Sequence, residues 1–401
     1  MRWALFIVVL ALLQGAIDAY VLWRWMRWVQ KQGAPSWLYR VAWGMGAVMF
    51  IAAIAFFAYR RWVGPVLTPE GAVIYALLTL WYLPKMLLFP VLLLTDLVGW
   101  LRHRLSRLWP RPVASAVDLQ RRQVLSLAGL GIAALPFLSV AEGMARTTYR
   151  PRLFTTEIPI PGLAPELDGL RIVHLSDIHA GSFSREDFFW QVVEQIQQLR
   201  PELIVFTGDY VNFHPDELRR AEAPLRQLSA PFGVYGCLGN HDHYMTDTGH
   251  RQLRHRLEQV GIELLVNEGR MLTIRGAKLQ LAGTDNTGSG QRFGDLDRAL
   301  AGLSSEVPTI LLFHDPRFWE WEVEGKAPVT LGLCGHTHGG QVGLQLLGQE
   351  WSVAQLVYRY WAGLYQTGQQ WLYVNRGLGF VGPAVRMGIP PEIALLILRR
   401  A

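Results

Sequence analysis

The sequence has little cysteine and, over its first 153 residues, few acidic side chains. Its two cysteines, Cys237 and Cys334, are too few for a disulfide framework. Because they lack Cys-x-x-Cys spacing, we expect neither to be a metal ligand. We expect both to be buried free thiols, with a disulfide between them as the alternative. Residues 1–153 carry 17 Lys/Arg and 5 Asp/Glu, whereas the remainder carries 21 and 27. Because the basic excess is missing from the C-terminal half, we expect no nucleic-acid partner there.

Long apolar runs occupy the N-terminal third of the chain. They lie at residues 3–23, 37–59, 72–100 and 124–141. The first three reach the ~20 residues needed to cross a bilayer, whereas the fourth is shorter and contains Pro136. The pattern predicts an all-α transmembrane region of about four helices at 1–145, a linker at 146–168 and a second domain at 169–401. Asp18 and Asp96 are the acidic residues inside these runs, and we expect water to reach both near the run ends.

The charges between the runs predict the orientation in the membrane. The loops after the first and third runs are rich in arginine, whereas the loop after the second run holds only Arg60 and Arg61 as basic residues. Basic loops stay in the cytoplasm, so four spans would place the C-terminal domain on the periplasmic or extracellular side of the cell inner membrane. If the fourth run does not cross, the domain is cytoplasmic. The stretch Arg121-Arg122-Gln123-Val124-Leu125 resembles a twin-arginine export signal, with ordinary flanking charge as the alternative.

The C-terminal half alternates short apolar runs with segments of helical spacing. Strands are predicted at 170–175, 203–206, 233–238, 271–274, 279–282, 309–313, 329–333, 371–374 and 393–398. Helices are predicted at 185–199 and 215–228, and the Pro-rich stretch 158–162 is expected to be a linker or an edge strand. This alternation favours an α/β domain, and the number of late strands indicates more than one sheet.

Five of these strands are followed directly by aspartate, asparagine or histidine. The segments are Asp177-Ile178-His179, Gly208-Asp209, Gly239-Asn240-His241-Asp242, His314-Asp315 and Gly335-His336-Thr337-His338. The carboxyl ends of strands are where α/β sheets place their sites. Imidazole and carboxylate or amide oxygens without thiolate suit Mn, Fe or Zn. Seven candidate ligands are too many for one tetrahedral ion and suit two ions with a shared carboxylate, as in two-metal phosphate-ester hydrolysis.

These motifs together resemble the calcineurin-like metallophosphoesterase family. The stretches Gly339-Gly340-Gln341, Asn375-Arg376-Gly377-Leu378-Gly379 and Pro390-Pro391-Glu392 are similar to its YkuE/YaeI-like membrane or exported branch. The resemblance covers about residues 150–400. It implies a four-layer αββα sandwich, two sheets face to face with helices outside, preceded here by the transmembrane region.

The resemblance also implies roles for individual residues. One divalent ion would be held by Asp177, His179, Asp209 and His338, and a second by Asp209, Asn240, His314 and His336. His241 would stabilise the phosphoryl charge or protonate the leaving oxygen, Asp242 would orient His241, and the nucleophile would be water or hydroxide between the ions. Asn212 and Asp315 depart from an Asp and an Asn that are common in the family, and neither departure removes a ligand.

The remaining polar residues have simpler interpretations. His174 is expected to be a core residue, and His103, His250 and His255 to be solvated. His214 and His243 could touch substrate, and Asp285 is expected to cap a loop. The chain is thus predicted to hydrolyse phosphate mono- or diesters at a membrane. The alternative is a hydrolase of a lipid pyrophosphate of the UDP-diacylglucosamine type, for which an apolar groove beside the site is expected.

Overall fold

The computed structural model describes residues 2–63, 69–105, 116–183, 185, 187–346 and 349–401. The chain forms two compact units that adjoin in sequence at Glu142 and Gly143. The N-terminal unit contains four helices, one for each apolar run: α1 (Arg2–Lys31), α2 (Trp37–Val63), α3 (Pro69–Leu105) and α4 (Ala116–Ala145).

Within the described residues, two helical stretches are long and apolar enough to cross a membrane. They are Trp37–Phe56 in α2 and Glu70–Leu105 in α3. The arginine-containing stretch 121–125 falls within α4, but its side chains lie outside those that the structure describes, as do Arg107 and Arg111 of the preceding loop.

The prediction that water reaches Asp18 is wrong. Asp18 on α1 is 5% exposed, and its Oδ1 lies 2.5 Å from Nζ of Lys85 on α3. The indole of Trp81 donates to the other carboxylate oxygen at 3.3 Å. Asp96 is partly exposed and accepts from Tyr20 at 2.5 Å. A buried aspartate in an apolar helix bundle needs a cationic partner, and Lys85 is that partner for Asp18.

The C-terminal unit contains two mixed six-stranded sheets. The strands are β1 (Arg152–Ile160), β2 (Arg171–Leu175), β3 (Leu203–Thr207), β4 (Val234–Cys237), β5 (Glu263–Leu264), β6 (Glu268–Ile274), β7 (Ala277–Gly283), β8 (Thr287–Gly288), β9 (Gln291–Arg292), β10 (Thr309–Leu312), β11 (Leu331–Cys334), β12 (Gly343–Leu346), β13 (Gln349–Ser352), β14 (Gly363–Thr367), β15 (Gln370–Val374) and β16 (Glu392–Arg400). The helices are α5 (Asp187–Gln198), α6 (Arg219–Leu225), α7 (Asp247–Gln259), α8 (Leu296–Leu300) and α9 (Pro316–Phe318), the last continued by a π-helical turn at Trp319–Val323.

The strand order brings the motif-bearing strands side by side. The first sheet has the order β1-β16-β2-β3-β4-β5 and the second β14-β15-β11-β10-β7-β6. Strands β2, β3 and β4 are parallel neighbours, and so are β10 and β11. The carboxyl ends of the motif-bearing strands therefore meet at one edge of each sheet.

Three apolar cores give the unit four layers. Between the two sheets lie side chains such as Ile172, Val205 and Leu312, all fully buried. Outside the first sheet, α5–α7 pack through side chains such as Phe188. Outside the second sheet, Trp319 and its neighbours form the third core. Helices cover both outer faces, so the unit is an αββα sandwich, as predicted.

The structure bears on the local predictions for β1, α6 and the two cysteines. Residues 152–160 form an edge strand in the stretch predicted as a linker, because the backbone of β1 pairs in parallel with β16. The helix predicted at 215–228 is a 3₁₀ turn followed by the seven-residue α6. Helix α7 was not predicted, since its polar sequence hides the few buried positions such as Leu253 and Leu257. Cys237 and Cys334 are buried free thiols, as expected.

Candidate metal centre

Several hydrogen bonds join the strand-end loops of the two sheets, among them one at His314 and one at His336. His314, after β10, contacts the carbonyl of Thr207 through Nδ1 at 2.7 Å. The backbone amide of His336, after β11, donates to Oδ2 of Asp177, after β2, at 2.9 Å. Residues more than 100 positions apart in sequence are thereby held within one polar cluster.

The backbone around the cluster adopts unusual conformations. Asp177, His179, Asp209, His336 and His338 all have positive φ, between 45° and 70°. Such conformations cost of order 1 kcal/mol or more each and persist where surrounding contacts fix them. They turn successive side chains toward one space, which a regular strand, with alternating faces, does not do.

Glycines allow the loops to approach each other. A Cβ at Gly335 would overlap the side chains of Ser176 and Asp177, and one at Gly239 would overlap the carboxylate of Asp209. Because the carboxylates of Asp177 and Asp209 belong to the cluster, a side chain at either glycine would displace one of them.

The first group of potential ligands is Asp177, His179 and His338, whose ligand atoms lie within 4.8 Å of one another. Nε2 of His338 is 3.3 Å from Oδ1 of Asp177 and 3.2 Å from Nε2 of His179. All three side chains are buried. Two imidazole nitrogens directed at one carboxylate form a plausible donor set for a divalent cation.

The second group is Asp209, His314 and His336, again with ligand atoms within 4.8 Å. Nε2 of His314 lies 3.0 Å from Oδ2 of Asp209 and 3.2 Å from Nδ1 of His336. The same Oδ2 lies 3.5 Å from Nε2 of His179 in the first group. The carboxylate of Asp209 thus stands between the two groups, where the sequence predicted a bridge.

Two buried polar atoms beside these groups lack a hydrogen-bond partner within the described part of the chain. They are Oδ1 of Asn240 and Nδ1 of His179. The amide of Asn240 is oriented by a bond from Nδ2 to the hydroxyl of Tyr244 at 3.0 Å. An oxygen acceptor left free in a buried site of imidazoles and carboxylates fits a cation ligand, so the residues present suit the predicted metals.

Burial and neighbouring charges shift the pKa values of the clustered side chains, some upward and some downward. Burial, with Asp209 nearby, raises the pKa of Asp177 to about 6. Burial disfavours ionisation of Asp209 as well, but the imidazoles of His314 and His241 outweigh it and hold its pKa well below the usual value. Burial likewise opposes protonation of His314, yet Asp209 and Asp177 raise its pKa to about 10. Burial lowers the pKa of His179 to about 3. The cluster therefore concentrates negative charge that a proton on His314 partly neutralises.

His241 lies at the open side of the cluster. Its ring is 4.8 Å from that of His179, centroid to centroid, and Nδ1 contacts the carbonyl oxygen of Asn212 at 2.9 Å. A carbonyl accepts only, so Nδ1 carries the proton and Nε2 is the free nitrogen. Phe213 and Tyr244 pack against the ring and are both partly exposed.

The expected contact between Asp242 and His241 is replaced by another. The carboxylate of Asp242 accepts from the backbone amides of Asp209, Tyr210 and Gly239, each at 2.9 Å. Asp242 thus holds the loops after β3 and β4 together and leaves the orientation of His241 to Asn212. Backbone amide donors of this kind carry no side-chain signature, so the sequence did not indicate the change.

Asp315, which the sequence analysis noted as a departure from the family pattern without giving it a role, lies beside the second group. Its Oδ2 lies 3.4 Å from Nε2 of His336, the ring nitrogen that faces away from His314. Arg317 holds the same carboxylate at 2.8 Å. Carboxylates commonly orient metal-binding histidines in this manner. Its position directly after His314 was the available signal.

The other histidines and Asp285 are placed as follows. His174 is buried, with Nε2 2.8 Å from Oγ1 of Thr207, as expected of a core residue, and His103 and His255 are exposed. His250 was predicted to be solvated but is half-buried, because Nδ1 contacts the carbonyl of Asp242. His243 pairs with Asp285 at 2.7 Å, and Asp285 also accepts from the amide of Asn286.

Comparison with known proteins supports the resemblance to phosphoesterases. Residues 1–148 match the model of the probable calcineurin-like phosphoesterase transmembrane domain, and residues 170–340 match the calcineurin-like phosphoesterase model. Metallophosphoesterase YkuE of Bacillus subtilis is 34% identical over 294 residues, 70% of this chain and 98% of the relative. Phosphodiesterase YaeI of Escherichia coli is 28% identical over 229 residues, 57% of this chain and 82% of the relative.

A longer relative carries both parts. The transmembrane protein with metallophosphoesterase domain of Bos taurus is 33% identical over 301 residues, 71% of this chain. The alignment spans 65% of the length of that relative. The motif loops, the αββα sandwich and these matches agree, and the chain belongs to the calcineurin-like phosphoesterase family.

Proposed function

We propose that the chain is a metal-dependent phosphoesterase, anchored in a membrane by its N-terminal helices, that hydrolyses phosphate mono- or diesters. The observation that carries the proposal is the convergence of strand-end loops on two adjoining groups of ligand atoms, with the carboxylate of Asp209 between them. Family membership supports it independently.

The proposed ligands divide between two ions. Asp177, His179, Asp209 and His338 hold one ion, and Asp209, Asn240, His314 and His336 hold the other. When bound, Mn, Fe or Zn would supply Lewis-acid stabilisation of phosphoryl charge and an activated water as nucleophile.

The other residues bind and orient the reactants. With Nδ1–H fixed on the carbonyl of Asn212, Nε2 of His241 can carry a second proton and deliver it to the leaving oxygen. Phe213 and Tyr244 form the exposed wall beside it and exclude water from one side of the ester. Asp242 holds the loops of Asp209 and Asn240 together, because its carboxylate accepts from the backbone amides of Asp209 and Gly239.

The test is hydrolysis of bis(p-nitrophenyl) phosphate and p-nitrophenyl phosphate by the full chain in detergent, with Mn, Zn or EDTA. Turnover should require metal and fall at least 1,000-fold in Asp209→Asn, since removal of a catalytic charge costs several kcal/mol. Asp285→Asn is the matched control, because Asp285 is also a buried carboxylate but pairs with His243 outside the ligand groups. Metal-bound protein with no turnover of either ester would contradict the proposal.

We propose that the catalytic unit lies on the periplasmic or extracellular side of the cytoplasmic membrane, on the basis of the loop charges and of the prediction that all four apolar runs cross the membrane. A reporter fused after Ala401 tests this placement. Activity of a reporter that functions only outside the cytoplasm is expected, and a signal from a cytoplasmic reporter would overturn it.

A second candidate substrate is a lipid-linked phosphoester, including a lipid pyrophosphate of the UDP-diacylglucosamine type. It is favoured by an apolar surface formed by residues 344–346 and 349–357. This surface lies next to residues 335–341 after β11, which we call the metal loop. The exposed side chains are Leu344, Trp351, Val353, Leu356 and Val357, between 59% and 87% exposed. The hydroxyl of Ser352 ties this surface to the metal loop by donating to the carbonyl of Gly339 at 2.5 Å.

An apolar patch of this kind on a membrane-tethered domain suits acyl chains. Leu356→Ser should therefore lower turnover of a lipid substrate in vesicles while leaving p-nitrophenyl esters unaffected. Leu153→Ser is the control, since Leu153 is an exposed leucine on the edge strand β1. Equal effects on both substrates would remove this candidate, and a cytoplasmic reporter signal would strengthen the nucleotide-linked version of it.

A further inference from the structure

Arg386 is a fully buried arginine with no carboxylate within ion-pair distance in the described residues. It lies between β15 and β16, beyond residues 375–379, which form the loop directly after β15. Burying a guanidinium without a paired anion is costly unless every N–H is satisfied. The hydrogen-bond partners of Arg386 therefore have to stabilise its buried guanidinium.

Backbone carbonyls accept most of the guanidinium N–H groups, and Nδ1 of His338 lies within hydrogen-bond distance of one terminal nitrogen. Nε and one terminal nitrogen both donate to Gly379, and that nitrogen also donates to Gly377 at 3.0 Å. The other terminal nitrogen donates to Arg376 at 2.8 Å and to His338 at 3.1 Å. One planar group thus joins the metal loop to the loop after β15.

The loop after β15 is in turn fixed on the loop of Asp177. The amide of Leu378 donates to the carbonyl of Ser176 at 2.9 Å, and the amide of Gly379 donates to that of Asp177 at 2.7 Å. Arg386 therefore connects His338 with Asp177, two residues proposed to hold the same ion. Within the described part of the chain, no hydrogen bond of the Arg386 guanidinium reaches Asn240, His314 or His336. The loops of Asp209 and Asn240 are joined by Asp242 instead.

The guanidinium also lies behind the ring of His338, with its terminal nitrogen 3.3 Å from Nδ1. Nε2 of that ring faces Asp177 at 3.3 Å. His314 and His336 meet acceptors on their far nitrogens, Thr207 and Asp315 respectively, whereas Nδ1 of His179 has no partner in the described residues. The guanidinium of Arg386 instead contacts His338 on the Nδ1 side of the ring and also donates to the backbone carbonyl of His338.

We propose that Arg386 is a positioning residue for the ion held by Asp177, His179, Asp209 and His338, acting through His338, and that it serves this ion selectively. The inference rests on the proposed function, since it assumes two bound ions. A lysine at this position keeps the charge but cannot reach four carbonyls in one plane. Loss of a partner that orients a ligand typically costs 10–100-fold in metal affinity.

The experiment is titration of Mn²⁺ into metal-free full-length protein in detergent, with bound and free ion counted by electron paramagnetic resonance. Wild type should bind two ions. In Arg386→Lys, one of the two dissociation constants should rise 10–100-fold and the other should stay the same. The kcat at limiting Mn²⁺ should fall and recover at high Mn²⁺, with KM for the ester unchanged.

Arg376→Lys is the matched control. Arg376 is a nearly buried arginine of the same region, but its side chain pairs with Glu350 and Glu392. It should keep both Mn²⁺ sites. A cycle with His338→Ala separates positioning from general support, because the effect of Arg386→Lys on metal affinity should vanish once His338 is absent.

The outcomes are distinct. Wild type that binds no Mn²⁺ would remove the proposed function itself. Wild type with two ions and Arg386→Lys with two unchanged constants would overturn the role of Arg386. Arg386→Gln provides a second, smaller replacement should the lysine variant not fold. If both variants lose the two ions together, or melt before either is released, Arg386 has only a structural role and the proposal is overturned.

Discussion

The carboxylate of Asp242 accepts a hydrogen bond from the backbone amide of Asp209 at 2.9 Å, across 33 residues of sequence. Its two oxygens also serve Tyr210 and Gly239. Asp242→Asn replaces one of these acceptors by an NH₂ group that faces amide donors. Leaving such groups unpaired costs about 1–3 kcal/mol each, so the free energy of unfolding should fall by roughly 2–4 kcal/mol.

Thermal unfolding of the full chain measures the effect of Asp242→Asn. Asp216→Asn is the control, since Asp216 is 40% exposed in its side chain and pairs with Arg256, a contact worth at most about 1 kcal/mol. Unchanged stability with a shifted pH–rate profile would instead support the contact with His241 that the sequence suggested.

The contact between Asp315 and His336 predicts different effects for two replacements. Asp315→Asn keeps an oxygen acceptor 3.4 Å from Nε2 of His336, so Mn²⁺ affinity should change less than 10-fold. Asp315→Ala removes the acceptor and should weaken one ion 10–100-fold. Calorimetric titration of the metal-free protein compares the two, and equal affinity in both variants would show that Asp315 does not orient the ring.

Burial of His174 predicts an acid-sensitive stability. Burial lowers the pKa of this histidine to about 3, below the value of about 6.5 expected when the chain is unfolded. The unfolded state therefore binds the extra proton first, and the contribution of His174 is fully present above pH 6.5 and is lost as the pH falls toward 3. Between pH 6.5 and 5.0 the loss is about 2 kcal/mol.

His174→Gln tests this linkage, because glutamine can still reach Oγ1 of Thr207 but does not titrate. Melting temperatures of the metal-free protein at pH 7 and pH 5 should converge in the variant relative to wild type. A variant with the same acid sensitivity as wild type would assign the effect to other groups.

The ion pair of Asp18 and Lys85 predicts strong coupling in the N-terminal unit. Lys85→Met leaves a buried carboxylate without its cation and should destabilise the unit by about 3–5 kcal/mol. Asp18→Asn should have a similar effect, and the double variant should cost less than the sum. Unfolding in detergent monitored by tryptophan fluorescence, with exposed Lys31→Met as control, measures all three. Additive effects would mean that the pair contributes no coupling.

The metal-binding motifs were predictable because each lies directly after a short buried run. Leu203–Thr207 is an example, since five buried residues lead straight to Gly208 and Asp209. Strand neighbours were less accessible, because β16 pairs with residues more than 200 positions earlier. Helix α7 escaped detection because its exposed face outweighs its buried one.

The contacts that hold the ligands were largely beyond the sequence. Asp242 and Arg386 act on backbone amides and carbonyls, which every residue possesses, so their partners depend on the folded geometry alone. Lys85 could have been found from its place inside an apolar run, as Asp18 was. The pairing of the two required knowledge of how α1 and α3 pack.

Strand β16 lies between β1 and β2, with one parallel and one antiparallel neighbour. Until residues 392–400 have been synthesised, β1 has no partner and the edge of β2 is open. The first sheet can therefore be completed only after all the strands of the second sheet, from β6 to β15, have been synthesised. Until β16 is in place, the unpaired backbone groups of β1 and β2 are open to pairing with other chains.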